Sequence, residues 1–482
     1  MLKTIRKSGG FSILFFLTML SAESGNAVFA QYGNASTIPV AHTTYYESFN
    51  SDGSVATLAQ AGYDDGQETS QQSGSAVVLS STAALESRLI ALEEEFAKAK
   101  SKDTKKEDEN KWTNKVGGRF FLDAVNFSDL EPVAGNRSEN YFALSEARIT
   151  FSGSGYRNYD YKAELYFGSG NFGIRDLYLG VKKVPIFDYV KIGHYKVETG
   201  AAYLVSTNYT TGMGFPAATN QLSFNRRFGI SSTQLFADDR VRWFTGIFTS
   251  DSGNFNNDRL TRSDSPGIVY NTRLSLLPFA SEDGKHYLHV GGNWTYHDYD
   301  KNASQAFNLK PGITFNSASN QLALGTISNV NHAALTGAEL VYTHNRFGAS
   351  AEFQAMSYGR GRTVYGGYGE LRYFLTDAYR EYDKANGVVG APKVKNGLKF
   401  TERSDGYCGI DSFGDWEVFA QLNYLDFGDI VPSSGQQDYV FGLNWFWNAN
   451  TRMIFEYVHS VPKLQGDSDY SDIYAASLRF HF

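Results

Sequence analysis

The chain has 482 residues and a mean hydropathy of -0.36, and after its N-terminus it has no long apolar run, which excludes a helical membrane protein. Its 31 Tyr, 36 Phe and 47 Gly against 10 Pro are typical of many strands joined by polar turns. Of the net charge of -7, residues 1–30 carry +2 and residues 31–111 carry -6, so 112–482 carry -3. This near-neutral body argues against binding of nucleic acid.

The first thirty residues have the parts of a secretory signal peptide. Lys3, Arg6 and Lys7 supply positive charge, "FSILFFLTML" supplies a short apolar core, and small residues precede Gln31. We therefore predict a signal peptide over residues 1–30 and export of the mature chain. The alternative is an uncleaved anchor.

The next two regions precede the body of the protein. Residues 31–75 are rich in small polar residues without a sustained period, which predicts a flexible linker. Residues 76–111 contain apolar residues at spacings of four, three and four, which predicts a short coiled-coil helix followed by a charged linker. The alternative is one amphipathic helix lying on a neighbour. The stripe consists of Leu85, Leu89, Leu92 and Phe96.

From Val116 to the end, apolar and polar residues alternate with period two. In "YDYKAELYF", for example, Ala163 and Leu165 lie on one face while Lys162 and Glu164 lie on the other. About sixteen such segments occur, each of roughly the length that a tilted strand needs to cross a bilayer. A soluble sandwich or barrel would bury the apolar face, whereas a membrane barrel would turn that face to lipid.

Three features favour the membrane barrel. Aromatic residues crowd near strand ends, as in interfacial girdles. The polar faces carry charges in mid-strand, which a soluble core would not accept unpaired. Tight connections such as 236–239 alternate with long ones, 298–331 and 377–412, which predicts short turns at one end and long loops at the other. We therefore predict an all-β fold over 112–482, a transmembrane antiparallel barrel of about sixteen strands.

The C-terminal strand supports the same interpretation. It alternates to the last residue, Phe482, with Arg479 and His481 on the polar face. An open sheet edge in lipid would leave amides unsatisfied, so the last strand should pair with the first. We expect Phe482 to face lipid at the periplasmic rim.

Several segments in order resemble the bacterial outer-membrane phosphate-selective porin O and P family. They include "GGRFFLD", "SEARITFSG", "VKIGHYKVETG", "WEVFAQLNYLDF" and the closing "SLRFHF", and the resemblance covers about 116–482. It implies a sixteen-stranded barrel, a homotrimer in the outer membrane, and a loop folded into the lumen after the "GHYK" strand. It also implies passive diffusion of small anions, with phosphate or polyphosphate among them.

Selectivity in such a pore depends on its radius and on rings of charge, and Arg and Lys rings favour anions. The resemblance makes Lys196, at the start of the candidate constriction loop 196–225, the strongest candidate. Gln421 stands where many family members carry Arg, which weakens the inference that this chain shares the phosphate specificity of the family. The basic residues with the parity of the polar face are Arg119, Arg148, Lys162, Lys191, Arg242, Arg273, Arg372, Arg452 and Arg479.

The alternative for these bases is that acids on the same face neutralise them. The pairs expected from spacing are Arg119 with Asp123, Arg148 with Glu146, Lys162 with Asp160 and Glu164, Arg372 with Glu370, and Arg452 with Glu456.

The remaining motifs are weak. Cys408, the single cysteine, has no Cys–His arrangement nearby, so we interpret it as inert. His286 and His289 fall on opposite faces of a strand and should not share a metal. Because no catalytic constellation occurs, we expect a channel rather than an enzyme, without a cofactor. An alternative is a weakly selective porin whose residues 31–111 anchor it to peptidoglycan.

Overall fold

The computed structural model describes most of the barrel region and a short stretch before it. Within these residues the strands form one closed antiparallel sheet of sixteen barrel strands, as predicted. The predicted signal peptide and the linker 31–75 lie outside the described residues. The described residues are 87–95, 98, 111–127, 139–168, 172–250, 267–309, 322–359, 361–402 and 408–482.

A helix, α1, occupies residues 87–95 and exposes Leu89 and Leu92. Leu85 and Phe96, the outer members of the predicted stripe, lie outside the described residues, so the coiled coil stays a prediction. No helix in the described part of the chain is long and apolar enough to span a membrane.

Twenty-one strands occur in the described ranges, and each barrel strand pairs with its neighbour in chain order. The barrel contains β1–β12, β17–β19 and β21, while β13–β14 and β15–β16 form two separate hairpins and β20 pairs only with β19. The strands are β1 (Thr113–Phe127), β2 (Glu139–Gly155), β3 (Tyr159–Tyr166), β4 (Gly173–Val184), β5 (Phe187–Lys196), β6 (Arg226–Phe236), β7 (Val241–Thr249), β8 (Ile268–Ala280), β9 (His286–Leu309), β10 (Leu322–His344), β11 (Phe347–Tyr358), β12 (Arg362–Phe374), β13 (Tyr379–Asp383), β14 (Val388–Lys393), β15 (Leu398–Glu402), β16 (Cys408–Phe413), β17 (Asp415–Asp426), β18 (Gly435–Phe446), β19 (Thr451–Leu464), β20 (Asp467–Ser468) and β21 (Ser471–His481).

The last strand closes the barrel against the first. Phe120 lies opposite Phe480, and the pairing continues to the chain end, where Gly118 N–H donates to the Phe482 carbonyl at 3.1 Å. Phe482 N–H donates in return to the Gly118 carbonyl at 3.0 Å. Closure removes the open edge that lipid would not tolerate, because the facing amides of residues 118–127 and β21 pair with each other.

Side chains sort by parity as the alternation predicts. On β2, Ile149 is 40% exposed on the outer surface, whereas its neighbour Arg148 is 6% exposed on the inner one. On β7, Trp243 lies outside and Phe244 is buried inside. A soluble barrel would show the opposite arrangement, so the apolar outer band marks a lipid-facing wall.

The inner surface is less polar than the alternation indicated. The connection between β5 and β6 contains two short helices, α2 (Ala201–Leu204) and α3 (Ala217–Leu222). Leu222 of α3 belongs to a buried apolar cluster with Phe307 and Phe427. The reason is that a loop held inside a barrel must bury its own apolar underside against the wall.

The long connections differ from expectation. Residues 298–331 are largely paired strand, because β9 and β10 extend as far as Leu309 opposite Leu322. The connection containing 377–412 lies at the same end as the tight turns, since Phe374 N–H donates to the Arg346 carbonyl and Leu398 N–H to the Trp447 carbonyl. The assignment of 377–412 to the long-loop end was therefore wrong. We call this the turn end, and it also holds the C-terminus.

Candidate functional site

The first insert into the lumen is the constriction loop, residues 197–225, which follows β5. Basic side chains hold its backbone from the wall. Lys196 Nζ donates to the carbonyls of Tyr203 and, at 3.3 Å, Val205. Arg452 Nη2 donates to the Thr210 carbonyl at 2.8 Å. Such charge-assisted bonds are strong, and because they end on carbonyls they leave the positive charge unneutralised.

Acidic side chains on other strands bind the donors of the same loop. Glu456 accepts the Met213 N–H at 2.8 Å, and Glu370 accepts the Thr211 hydroxyl at 2.9 Å. Glu352 accepts the N–H of Ala202, the second residue of α2. The loop is therefore fixed across the lumen to several strands rather than to its own neighbours alone.

The second insert is the β13–β14 hairpin, which enters from the turn end. Arg380 makes a two-pronged contact with Glu417, at 2.9 and 2.7 Å, and also donates to the Tyr209 carbonyl of the constriction loop. Elsewhere on the wall, Arg273 of β8 donates to the carbonyls of Asn386 at 3.0 Å and Gly387 at 2.6 Å. The two inserts thus meet inside the barrel.

Glu198 links the constriction loop to strands β7 and β8 of the barrel wall. It binds both guanidinium arms of Arg242 at 2.7 Å, and Arg273 lies 3.5 Å from it while binding Glu339 at 2.7 Å. Burial alone would raise the pKa of Glu198, but Arg242 and Arg273 outweigh burial and lower that pKa below its usual value. Glu198 is therefore ionised and holds two candidate anion-binding arginines.

A cluster of ion pairs lies on the wall strands β1–β3. Arg148 binds Glu164 at 2.6 Å and also binds Glu146. Arg119 binds Glu164 at 3.1 Å and reaches the Thr207 hydroxyl of the constriction loop at 2.9 Å. These candidates face the lumen, and carboxylates balance their charge.

Three of the same-face ion pairs expected from spacing are present: Arg148–Glu146, Lys162–Glu164 at 3.4 Å and Arg372–Glu370 at 2.9 Å. Two others are wrong, because Arg119 binds Glu164 rather than Asp123, and Arg452 binds Asn444 and the loop rather than Glu456. Residues four apart on a strand are separated by about 13 Å, which is too far for contact, whereas residues across a ladder are close. The expected pair of Lys162 with Asp160 is also absent, and Lys162 binds Asp176 of the neighbouring strand β4 at 2.6 Å.

Lys191 has a different environment. Its Nζ lies 4.5 Å from the centre of the Tyr178 ring, 4.9 Å from Tyr195 and 5.5 Å from Tyr189. Within the described ranges no carboxylate lies within 4.0 Å of this ammonium, and the side chain is half-buried. Cation–π contacts hold Lys191 in place without cancelling its charge.

Sequence reasoning missed three functional side chains. Arg226 binds Asp176 at 2.6 Å, Glu198 joins two arginines, and Arg380 joins the inserts. Strand counting would have found Arg380, because alternating chain direction already places its connection at the turn end. Nothing in the neighbouring sequence marks Glu198, because its role depends on how the constriction loop folds.

Two cavities flank this arrangement. A small one of ≈50 Å³ lies between the constriction loop and the wall and includes Glu370, Arg372 and Gln421 in its lining. A wider one of ≈520 Å³ opens at the turn end and is lined by Lys285, Arg346 and Lys395 among others. In the part of the chain that the structure describes, no group of three or more His, Cys, Asp or Glu residues is placed to hold a metal ion.

The chain is similar to known proteins in sequence and in fold. The sequence model of the phosphate-selective porin O and P family matches residues 115–482, most of the chain. An uncharacterized protein of Caulobacter vibrioides is 25% identical over 329 residues, which cover 64% of this chain and 62% of that relative. The chain thus spans less than two thirds of the relative's length.

Solved barrels align over most of the chain. The high-pH structure of Pseudomonas putida OprB is 9% identical, covers 79% of this chain and 96% of its own, and gives a TM-score of 0.50. An anion-selective porin from Comamonas acidovorans is 11% identical, with 77% and 100% covered and a TM-score of 0.48. At these identities the likeness concerns the fold alone.

Proposed function

The chain belongs to the phosphate-selective porin O and P family, and we propose that it forms a water-filled channel for passive diffusion of small anions. The family and the lipid-facing barrel place the protein in the bacterial outer membrane. Short turns of such barrels face the periplasm, so the turn end is the periplasmic end.

The observation that carries the anion preference is the state of two lumen lysines. Lys191 and Lys196 are half-buried, and neither has a carboxylate within 4.0 Å among the residues the structure describes. Tyrosine rings surround the first, and loop carbonyls bind the second. An ammonium that no carboxylate contacts attracts anions in a narrow lumen and repels cations.

The basic mouth at the turn end supports the same preference. Lys285, Arg346 and Lys395 line its cavity with a single acid, Asp377. Clefts with one dominant sign of charge raise the local concentration of the opposite ion. Anions would therefore be favoured at the mouth as well as at the constriction.

Phosphate is one expected solute, but we propose a general preference for anions. Arginine recognises phosphate best through a free two-pronged fork, and the arginines described above use their forks on carboxylates and loop carbonyls. Gln421 adds no charge at the small cavity. Phosphate would then be attracted by the lysines as a charge rather than recognised by shape.

The test is the reversal potential of the purified channel in a planar bilayer under a KCl gradient. Chloride preference is expected, and Lys191→Gln should reduce it while the exposed Lys399→Gln, on β15, should not. Cation preference would contradict the anion proposal, and absence of conductance from a folded barrel would contradict the channel. Block by millimolar phosphate that exceeds block by sulfate would indicate true phosphate recognition.

We also propose that the channel is a homotrimer, as the family resemblance implies. The observation in its favour is α1, whose Leu89 and Leu92 are exposed in the single chain and would be covered by copies of the same helix. Chemical crosslinking of the full chain in membranes should give trimers, and Leu89→Asp with Leu92→Asp should weaken them. Trimers unaffected by this change would contradict a role for α1.

A further inference from the structure

The β15–β16 hairpin at the turn end has two chemically different faces. Leu398 lies opposite Phe413, and Phe400 opposite Ile410, so these four side chains share one face. The other face carries Lys399 opposite Ser412 and Thr401 opposite Gly409. The hairpin is therefore apolar on one side and polar on the other.

The apolar face is uncovered in the single chain. Phe400 is 62% exposed, Phe413 60% and Ile410 47%. Isolated two-stranded hairpins are marginal in water, and contiguous exposed apolar patches on proteins usually mark an interaction surface. A covering surface is therefore expected for this face.

The base of the hairpin is attached to the lipid-facing rim of the barrel. Trp445 Nε1 donates to the Phe413 carbonyl at 2.6 Å, and Leu398 N–H donates to the Trp447 carbonyl at 2.7 Å. Trp445 stacks on Trp416 with ring centres 5.1 Å apart and planes 10° apart. Both tryptophans lie on the outer surface, where tryptophan marks the boundary between lipid and water.

We propose that the apolar face of the β15–β16 hairpin rests on the periplasmic leaflet of the outer membrane, as an extension of this tryptophan girdle. Its occupant is a lipid surface, because the patch is continuous with the lipid-facing wall through Phe413 and Trp445. Phe400 and Ile410 would reach the boundary between headgroups and acyl chains.

The polar groups fit this placement. Lys399 projects from the opposite face, toward the periplasm. Glu402 and Cys408, paired at the far end of the apolar face, are both exposed and limit the depth of the hairpin to the headgroup region. The hairpin thus lies on the leaflet and does not enter its hydrocarbon core.

The single native cysteine allows a direct measurement of depth. In a Cys408→Ser background, Phe400→Cys places a fluorescent label on the apolar face, and Lys399→Cys places it on the adjacent polar position as a matched control. The full-length channel is reconstituted in vesicles containing phospholipid with a nitroxide on the acyl chain near the headgroup. Heat-modifiable migration in gels confirms that each variant is folded.

We expect the label at position 400 to be quenched at least about twofold more than the label at 399, since only one face contacts lipid. Equal quenching of the two labels would overturn the proposal. Shielding of position 400 from water without quenching by lipid, together with disulfide crosslinking between subunits, would assign the face to a second copy and also overturn it. The native Cys408, labelled in the unmodified chain, should be quenched to an intermediate extent.

Discussion

Arg479 of β21 donates from Nη1 to the backbone carbonyl of Thr207 at 2.8 Å, so the strand that closes the barrel also holds the constriction loop. The same guanidinium donates to the Met213 carbonyl and lies 4.5 Å from the centre of the Phe121 ring. The sequence indicated that Arg479 faces the lumen, and the structure adds that its donors are used by the loop. Barrel closure and constriction geometry are therefore linked.

Arg479→Gln should loosen the loop without preventing barrel formation. A hydrogen bond to a charged group contributes about 1.5–3 kcal/mol, and this change removes such bonds to two loop carbonyls. Single-channel conductance should become larger and noisier, and proteolysis within 197–225 should become faster. Arg240→Gln, in an exposed turn, is the matched control. Unchanged conductance and noise would show that the loop does not depend on Arg479.

Glu198→Gln should destabilise the lumen strongly. The change leaves Arg242 without its carboxylate, and breaking a buried ion pair typically costs about 3–5 kcal/mol. A lower thermal midpoint is expected by circular dichroism in detergent, together with faster proteolysis of the β13–β14 hairpin. Glu282→Gln, exposed in a turn, should leave the midpoint unchanged. Equal midpoints for the two variants would contradict the anchoring role of Glu198.

The contribution of Glu198 should depend on pH in one direction. The pKa of Glu198 is lower in the folded protein than its ordinary value of 4.5, so its stabilisation is fully present above 4.5 and lost as the pH falls through the lower folded value. The difference in thermal midpoint between the wild type and Glu198→Gln should be constant from neutral pH to about pH 5. It should shrink only in more acidic solution. A difference that shrinks already between neutral pH and about pH 5 would mean that the pKa is not lowered.

Gly200→Ala should displace the constriction loop. Gly200 has a φ of 146°, and a Cβ there would clash with the Glu352 carboxylate. Backbone strain of this kind costs about 1–3 kcal/mol, and the clash adds to it. Gly466→Ala is the control, since its φ is also positive at 98° but a Cβ would meet nothing within 4 Å. Gly200→Ala should lose more thermal stability than Gly466→Ala, and only Gly200→Ala should change the conductance. Equal effects of the two variants would exclude the clash.

Deletion of Phe482 should impair assembly. The residue makes both backbone hydrogen bonds to Gly118 that extend the closing ladder, and its ring lies over that glycine. The yield of heat-modifiable channel in the outer membrane should fall. Phe482→Tyr keeps the backbone bonds and an aromatic ring, so its yield should stay close to that of the wild type. Normal yield from the deletion would show that the rest of β21 is sufficient for closure.

Much of the fold could be predicted because parity is a local property. Alternation alone placed Trp243 outside and Arg148 inside, and it required a partner for the last strand. Ion pairs between strands could not be predicted. Arg119 of β1 reaches Glu164 of β3, and this contact depends on the registers of two strand pairs, which no single segment of sequence contains. The β13–β14 hairpin was missed since a polar connection rich in Gly and Lys has the same composition inside a lumen as outside it.

The meeting of Arg380 with the Tyr209 carbonyl has a consequence for how such a channel can change. One side of the narrow region belongs to a segment entering from the loop end, and the other belongs to a segment entering from the turn end. Insertions or substitutions in either segment would reshape the same passage without altering the wall. The permeability of this barrel can therefore be re-engineered from two separate stretches of sequence, with seven of its sixteen strands between them.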